Sequence, residues 1–416
     1  MAPREASRYE VILIALVLFS LPLFEAPKNI ASFAFLLLFV WNSFRMGNLG
    51  RGTPFDIPVV GLVAVLWIAP IFSEFSDLIT PLSSAPRWTL LGLFVLTVGR
   101  LDFTSGQIKF LAAAIVLGGA YAVIESLWVW HQKENWDLIE NMHPEFRSVG
   151  HVNHSAMYAI VPLSIGLGAA FSRNAVLRLL GLFGVATSLL FLLYARSIVG
   201  IVSVTSLILS GCLIFGVSRL SIKNTLAIVL IGLAVLFGAI STPMAKDTRE
   251  ELFARVTGDD IFASRDRIFN SAMAVWDRHP IVGSGWFSFG LATSEEAVRS
   301  ALDGRDEQYD SSDYLHVPHG HNLWITMLIE RGIFGVVAVT FLLFLYVKTF
   351  AHLAVSRAQD PECQWVAVSA LLVAVGFIAA GLGNTTMMNE HGQAGMTFIS
   401  IAYGYLRGAG VVGTLK

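Results

Sequence analysis

Twenty-two residues without a formal charge separate Arg196 from Arg219. At 1.5 Å per helical residue, the twenty-three steps between them cover about 34 Å, enough to cross a bilayer core. Apolar stretches of this kind recur along the chain, and a soluble core does not need them at such length. About twelve are legible by hydropathy, at roughly 10–24, 29–46, 56–72, 88–100, 108–129, 152–171, 176–194, 197–217, 225–241, 322–347, 363–382 and 391–409. Strand alternation is not evident. Of 416 residues, 55% are apolar and 14% charged, against roughly a quarter charged in soluble domains. The expected fold is an all-α polytopic membrane protein of about 12 transmembrane helices, with one large outer loop containing short helices.

The formal net charge is −2, which suggests no nucleic-acid partner. Cys212 and Cys363 fall inside or at the edge of predicted helices, so neither a disulfide nor a thiolate metal site is expected. The first apolar run follows Arg4 and Arg8, as a signal peptide would. Phe24-Glu25-Ala26 lacks paired small residues for cleavage and a second span follows at once, so it reads as a retained helix.

Basic residues in short connections set the orientation. With the N-terminus inside, the inner side collects Arg4, Arg8, Arg45, Arg51, Arg100, Lys109, Arg173, Arg178, Arg219, Lys223, Lys348, Arg357, Arg407 and Lys416. The short outer loops hold only Lys28, Arg87, Lys133 and Arg147. Both termini are therefore expected in the cytoplasm and the long loop outside. The chain divides into helices one to nine (1–240), a large loop (241–320) and the last three helices (321–416).

That loop is far longer than ordinary connections. Ile268, Ala272 and Val275 at helical spacing predict a helix from Arg265 to Arg278. His279-Pro280 stops it, and Gly283, Gly285 and Gly290 permit tight turns. The acidic run from Glu295 to Asp313 is expected to be solvated or mobile.

Chemistry concentrates where the loop re-enters the bilayer. His319 and His321 precede Asn322, a good N-cap, and an apolar helix. Imidazole accepts protons near neutral pH, and a helix N-terminus favours anions. On a continuous helix His321 stands about 13 Å further out than Glu330, with Glu330 and Arg331 near the outer part of the bilayer. The bland alternative is a polar turn with interfacial histidines. Arg196 belongs at the outer interface, where an arginine also simply snorkels to head groups. Arg147 falls on the same face. Arg265 and Arg267 are two apart, so at most one is expected to face a common pocket. There is no phosphate-binding glycine loop, no His-Glu-x-x-His and no Asp-x-Asp pair. The acids Asp303, Asp306, Glu307, Asp310 and Asp313 read as a solvated surface, so no metal and no cofactor is expected.

Taken in order, these segments resemble the O-antigen ligase and polymerase superfamily. The matching residues are Arg147 with Gly150-His151-Val152-Asn153-His154-Ser155, then Arg196-Ser197, then Ser264-Arg265 with Trp276. His279-Pro280-Ile281-Val282-Gly283-Ser284-Gly285 follows. His321-Asn322-Leu323 with Glu330-Arg331-Gly332 and Gly335 is the most specific match. The resemblance covers about residues 140–345. It implies a GT-C-like glycosyltransferase with a large periplasmic loop, moving a polysaccharide from undecaprenyl pyrophosphate onto lipid A–core at the periplasmic face of the bacterial inner membrane. By that likeness His321 is the general base, and Arg196 and Arg265 share the catalytic work. Arg147, His319, Asn322, Arg267 and Asn153 bind substrate. Displacement by an activated hydroxyl would invert the anomeric centre without metal. Polymerase is the runner-up, protein O-oligosaccharyltransferase a further relative, and a transporter the alternative class, given Asn384, Asn389, Glu390 and His391 in an apolar region.

Overall fold

The computed structural model describes residues 4–72, 79–134, 144–195, 197–219, 250, 264–357, 359–387 and 389–412. The expected span at 225–241, Arg196 and the start of the long loop lie outside the described residues. The other eleven apolar stretches are helical. They form α1 (Arg8–Ser20), α2 (Glu25–Met46), α3 (Asp56–Ile68), α4 (Ile79–Gly99), α5 (Ser105–Glu134), α6 (Val152–Ala169), α7 (Ala175–Tyr194) and α8 (Ile198–Arg219). The long loop contributes α9 (Arg265–Val275), α10 (Phe289–Ala292) and α11 (Glu295–Asp303), and α12 (Leu323–Ser356), α13 (Pro361–Gly381) and α14 (Glu390–Gly408) complete the described helices. Five of them, α2, α5, α7, α12 and α13, contain stretches long and apolar enough to cross a membrane.

Local chemistry sets several helix starts. Ser7 and Glu10 form a reciprocal capping box at α1. Asn174 accepts from the Leu177 amide at α7. Asp360 accepts from two amides at α13, with Pro361 in the first turn.

The outward faces are apolar, as a lipid solvent requires. On α2, Ile30, Phe33, Leu37, Trp41 and Phe44 recur at three- and four-residue steps and are exposed. Phe334, Val337, Phe341 and Phe344 do the same on α12. The centre is α13, which packs against α6, α8, α12 and α14. It is apolar all round and almost wholly buried, as expected of a helix enclosed by others. This is a helical membrane protein.

The two ends of the bundle differ in their polar contacts. At one end Arg407 donates to Asp102 and to the carbonyls of Arg51, Gly99 and Leu101, while Arg100 pairs with Asp56 and Lys109 with Glu362. The opposite end carries the N-termini of α2, α6, α12 and α14.

α12 is not continuous. Gly332 sits at φ +60°, ψ −163° and splits it, which replaces the straight-helix height expected for His321. The segment after α9 fills the break. The amides of Ile333 and Phe334 donate to the carbonyls of Pro280 (2.9 Å) and Ile281 (3.3 Å), and those of Ser284 and Gly285 donate to Ile329 (2.8 Å) and Glu330 (3.0 Å). Broken backbone at membrane depth survives only when such partners replace water. Glycine is required on both sides. A Cβ on Gly332 would lie 2.3 Å from the Ile281 carbonyl carbon, and one on Gly283 (φ +73°) would lie 2.3 Å from the Arg331 amide nitrogen. Glu330 and Arg331 are buried in protein. Arg331 stacks 4.7 Å above the Trp286 ring.

The loop helix appears as expected, with α9 followed by a short 3-10 turn, Trp276–Arg278. The acidic run is exposed from Asp303 to Asp313 apart from half-buried Tyr309, as expected, and departs from the expectation only at its start. Val298, Ala301 and Leu302 share one helical face of α11 and bury against α9, together with Phe289 and with Ile329 from α12. The charges occupy the other face, so acidic composition concealed an amphipathic helix.

Candidate functional site

The N-terminus of α6 begins with His151-Val152-Asn153-His154, a spacing that puts both imidazoles on one side of the first turn. His151 accepts from the Asn153 amide at 3.2 Å and so caps the helix itself. His154 becomes the hub. Its ring centroid lies 5.9 Å from that of His151, 6.3 Å from His319 and 6.0 Å from His391. The Asn389 side-chain amide approaches His154 Nδ1 at 3.1 Å. Three segments that are distant in sequence thus contribute to one cluster. Its exposure is graded, from solvent-exposed His151 through half-buried His154, His319 and His321 to fully buried His391.

His321 is held in place by its neighbours. Asn322 accepts from the amides of Trp324 and Ile325 (2.9 and 3.1 Å), and its side-chain amide donates to the Leu382 carbonyl at 3.0 Å. Asn322 therefore ties the start of α12 to the end of α13. His321 itself adopts φ +46°, a left-handed conformation that costs a non-glycine residue about 1 kcal/mol or more. Ser264, Phe287 and Met387 also have positive φ, and each adjoins a residue of this region. Strain of this kind collects where surrounding structure fixes a functional geometry.

The surroundings of His321 favour its neutral form. Burial, then the Arg265 guanidinium, then His319 and His151 hold its pKa below the ordinary imidazole range. Burial and His151 do the same to His319. Arg265 lies at the start of α9, with a guanidinium nitrogen 3.8 Å from where a Gly383 Cβ would stand. Arg265 and Asn322 thus reach the same turn, Leu382–Gly383.

The expected site residues separate into two groups. His319, His321, Asn322 and Arg265 come together. Asn153 joins them through α6, accepting from the buried Ser197 hydroxyl at 3.3 Å. Arg267 faces elsewhere, donating to the carbonyls of Ser311 and Tyr314 (2.9 and 3.1 Å) and fastening the acidic segment onto α9. That is the divergence which two-residue spacing imposes. Arg147 is largely exposed and stands 3.7 Å from Glu125 of α5. No described contact joins it to the imidazoles.

Sequence reasoning does not single out His154, and it leaves Asn389 and His391 in a short outer loop that either lines the acceptor site or is merely wet. The i, i+3 spacing of His151 and His154 was a usable signal. His391 is instead fully buried at the start of α14, and Asn384 and Glu390 are buried too.

Residues 158–340 match the family model described as O-antigen ligase. This region is similar to an O-antigen ligase family domain. No curated protein matches the chain. The match supports an O-antigen ligase or polymerase type of function in general. The matched region supplies Arg265, Ser197, His319 and His321, together with the broken α12 and the segment that fills it. His151 and His154 precede the matched region, and Asn389 and His391 follow it. The cluster is therefore completed by helices on either side of the matched region.

Proposed function

We propose that the protein is an O-antigen ligase of the bacterial inner membrane, working at the periplasmic face with both termini in the cytoplasm. About twelve spans hold the site, with 1–240 and 321–416 as membrane regions and 241–320 as the periplasmic loop. The donor is a polysaccharide on undecaprenyl pyrophosphate and the acceptor a sugar of lipid A–core. The observation that carries this reading is the meeting of His321 with Arg265 beside four further imidazoles at one end of the bundle.

A neutral imidazole takes the proton from an acceptor hydroxyl. The hydroxyl oxygen forms a bond to the donor's anomeric carbon, and the bond from that carbon to the pyrophosphate oxygen breaks. The departing oxygen keeps the electron pair. Arg265 and Arg196 would hold the pyrophosphate and offset its growing charge through bidentate contacts. Arg147, exposed on the approach to the site, would meet the donor's anion first. Attack opposite the leaving group inverts the anomeric centre.

Donor binding also tunes the base. A pyrophosphate beside Arg265 counters the positive field that disfavours imidazolium, so His321 becomes more basic when the donor is present. His319, Asn322 and Asn153 line the acceptor approach, with Asn322 also fixing the backbone. Arg267 belongs to the loop scaffold, and a contact with substrate would require it to leave its two carbonyls.

The deciding experiment is reconstitution of purified protein with undecaprenyl-pyrophosphate glycan and lipid A–core, without ATP and with chelator. Conjugated lipopolysaccharide is the expected product. Extension of repeat units alone would identify a polymerase, and glycan uptake into vesicles without conjugation would identify a transporter.

A further inference from the structure

Two cavities beside the histidine cluster meet at Trp88 and Leu91, which line both. The first is polar and open to solvent, and includes Lys28, Arg87, Asn389, Glu390 and Gln393 in its wall. Lys28 was expected in a short outer loop; it lies inside α2 and is only 2% exposed. It donates to Glu25 at 2.8 Å, to Ser148 at 3.1 Å and to Glu390. Arg87 donates to Glu390 at 2.8 Å. Two cations thus face two carboxylates, Lys28 and Arg87 against Glu25 and Glu390, and the formal charges cancel. Such a wall repels a polyanion as much as it attracts one. Uncharged hydroxyls suit it, since they donate to carboxylates and accept from guanidinium and amide groups.

The second cavity is a mostly apolar groove along Val59, Val63 and Leu66 of α3, facing Gly92, Met327 and Met396, with Arg331 as the charged residue in its wall. The seven steps from Val59 to Leu66 give it about 10 Å of length. Gly92 keeps it open, because a Cβ there would stand 2.4 Å from Val63 Cγ2. Methionine walls adapt readily to a flexible chain.

We propose that this track seats a glycolipid, with an uncharged sugar in the polar cavity and its hydrocarbon chain in the groove. Its assignment as the acceptor's seat rests on the glycosyl-transfer reading above. Asn389 connects the two, since it lines the polar cavity while its amide reaches His154. Neither the donor's pyrophosphate nor Arg265 enters this track.

The test is photolabelling of the full-length protein in lipid nanodiscs by an alkyl maltoside carrying a mid-chain diazirine. Labelling is expected on α3 and around Met327 and Met396, displaced by dodecyl maltoside at least ten-fold better than by dodecyl phosphate. Gln393→Ala should weaken labelling about ten-fold, and Gly92→Leu should remove it. Should Gly92→Leu fail to fold, Val63→Phe narrows the same groove and should have the same effect. Equal displacement by dodecyl phosphate, or label spread over the lipid-facing side of α2 and α7, overturns the proposal. His321→Ala should label as the parent does. Labelling of the unsubstituted protein together with no glycan transfer by it would sink the ligase reading alone, whereas full glycan transfer by a groove variant that no longer labels would sink the track alone.

Discussion

The amide of Ile333 donates to the carbonyl of Pro280 at 2.9 Å, across the gap where Gly332 breaks α12. That bond and its three companions turn a helix break into a joint between the outer loop and the bundle. The joint fixes where His321 stands, because Leu323–Arg331 starts at Asn322 and ends in it. Gly332→Ala should therefore be severely destabilising, by several kcal/mol, since it combines a positive φ with a clash against Ile281 backbone. Gly410→Ala is the matched control, with φ +70° and open space around it, and should cost about 1 kcal/mol. Thermal unfolding of both variants in one detergent checks the pair; equal melting temperatures would deny the joint its role.

His321→Ala should abolish transfer without reducing folded protein or donor binding. The reading assigns proton acceptance to this imidazole, and a methyl group cannot perform it. His319→Ala should retain measurable turnover. Single-turnover assays on purified variants separate the two, and the reverse pattern would move the base to His319.

The pH profile carries its own test. His321 titrates below the ordinary imidazole value of about 6.5, and only the neutral form accepts a proton. Activity in subsaturating donor should hold from pH 7 down to that value and fall below it. Arg265→Gln removes a positive charge that disfavours the imidazolium, so the acidic limb should move to higher pH. A limb that stays in place would show that Arg265 does not act on His321.

Arg265→Ala and Arg196→Ala should each lose most activity, and lysine at either position should restore only part. An ammonium supplies charge but not the planar two-pronged contact of guanidinium. Full rescue by lysine would mean that charge alone suffices. Arg267→Met should behave differently, leaving turnover nearly intact while making the 303–315 segment more sensitive to protease.

Asn389→Ala should lower turnover by about five-fold, the effect of one neutral hydrogen bond of about 1 kcal/mol. Its amide contacts His154 and not the proposed base, so the acidic limb set by His321 should keep its position. A loss as complete as that of His321→Ala would place Asn389 in direct contact with the reacting groups.

The histidine pair before α12 was legible because Asn322 is a strong cap and the run behind it is plainly apolar. The helix Arg265–Val275 was legible for a similar reason, since Ile268, Ala272 and Val275 keep a helical period. The start of the acidic run misled because charge dominates its composition, while only Val298, Ala301 and Leu302 mark the buried side. Lys28 misled for the opposite reason. A lysine between two apolar runs reads as interfacial, and nothing local shows that Glu390, more than three hundred residues away, neutralises it.

Apolar run length by itself determined a helical membrane protein, because backbone amides in lipid must be satisfied within each segment. Cap residues and helical period, both local, determined where most helices begin and which face is buried. Which imidazole meets which guanidinium was decided only by tertiary packing. His151, Arg265, His321 and His391 belong to separate elements, and the free energy that brings them together comes from burial and hydrogen bonds far from any of them. The break in α12 belongs there as well: Gly332 permits it, but the carbonyls of Pro280 and Ile281 make it stable.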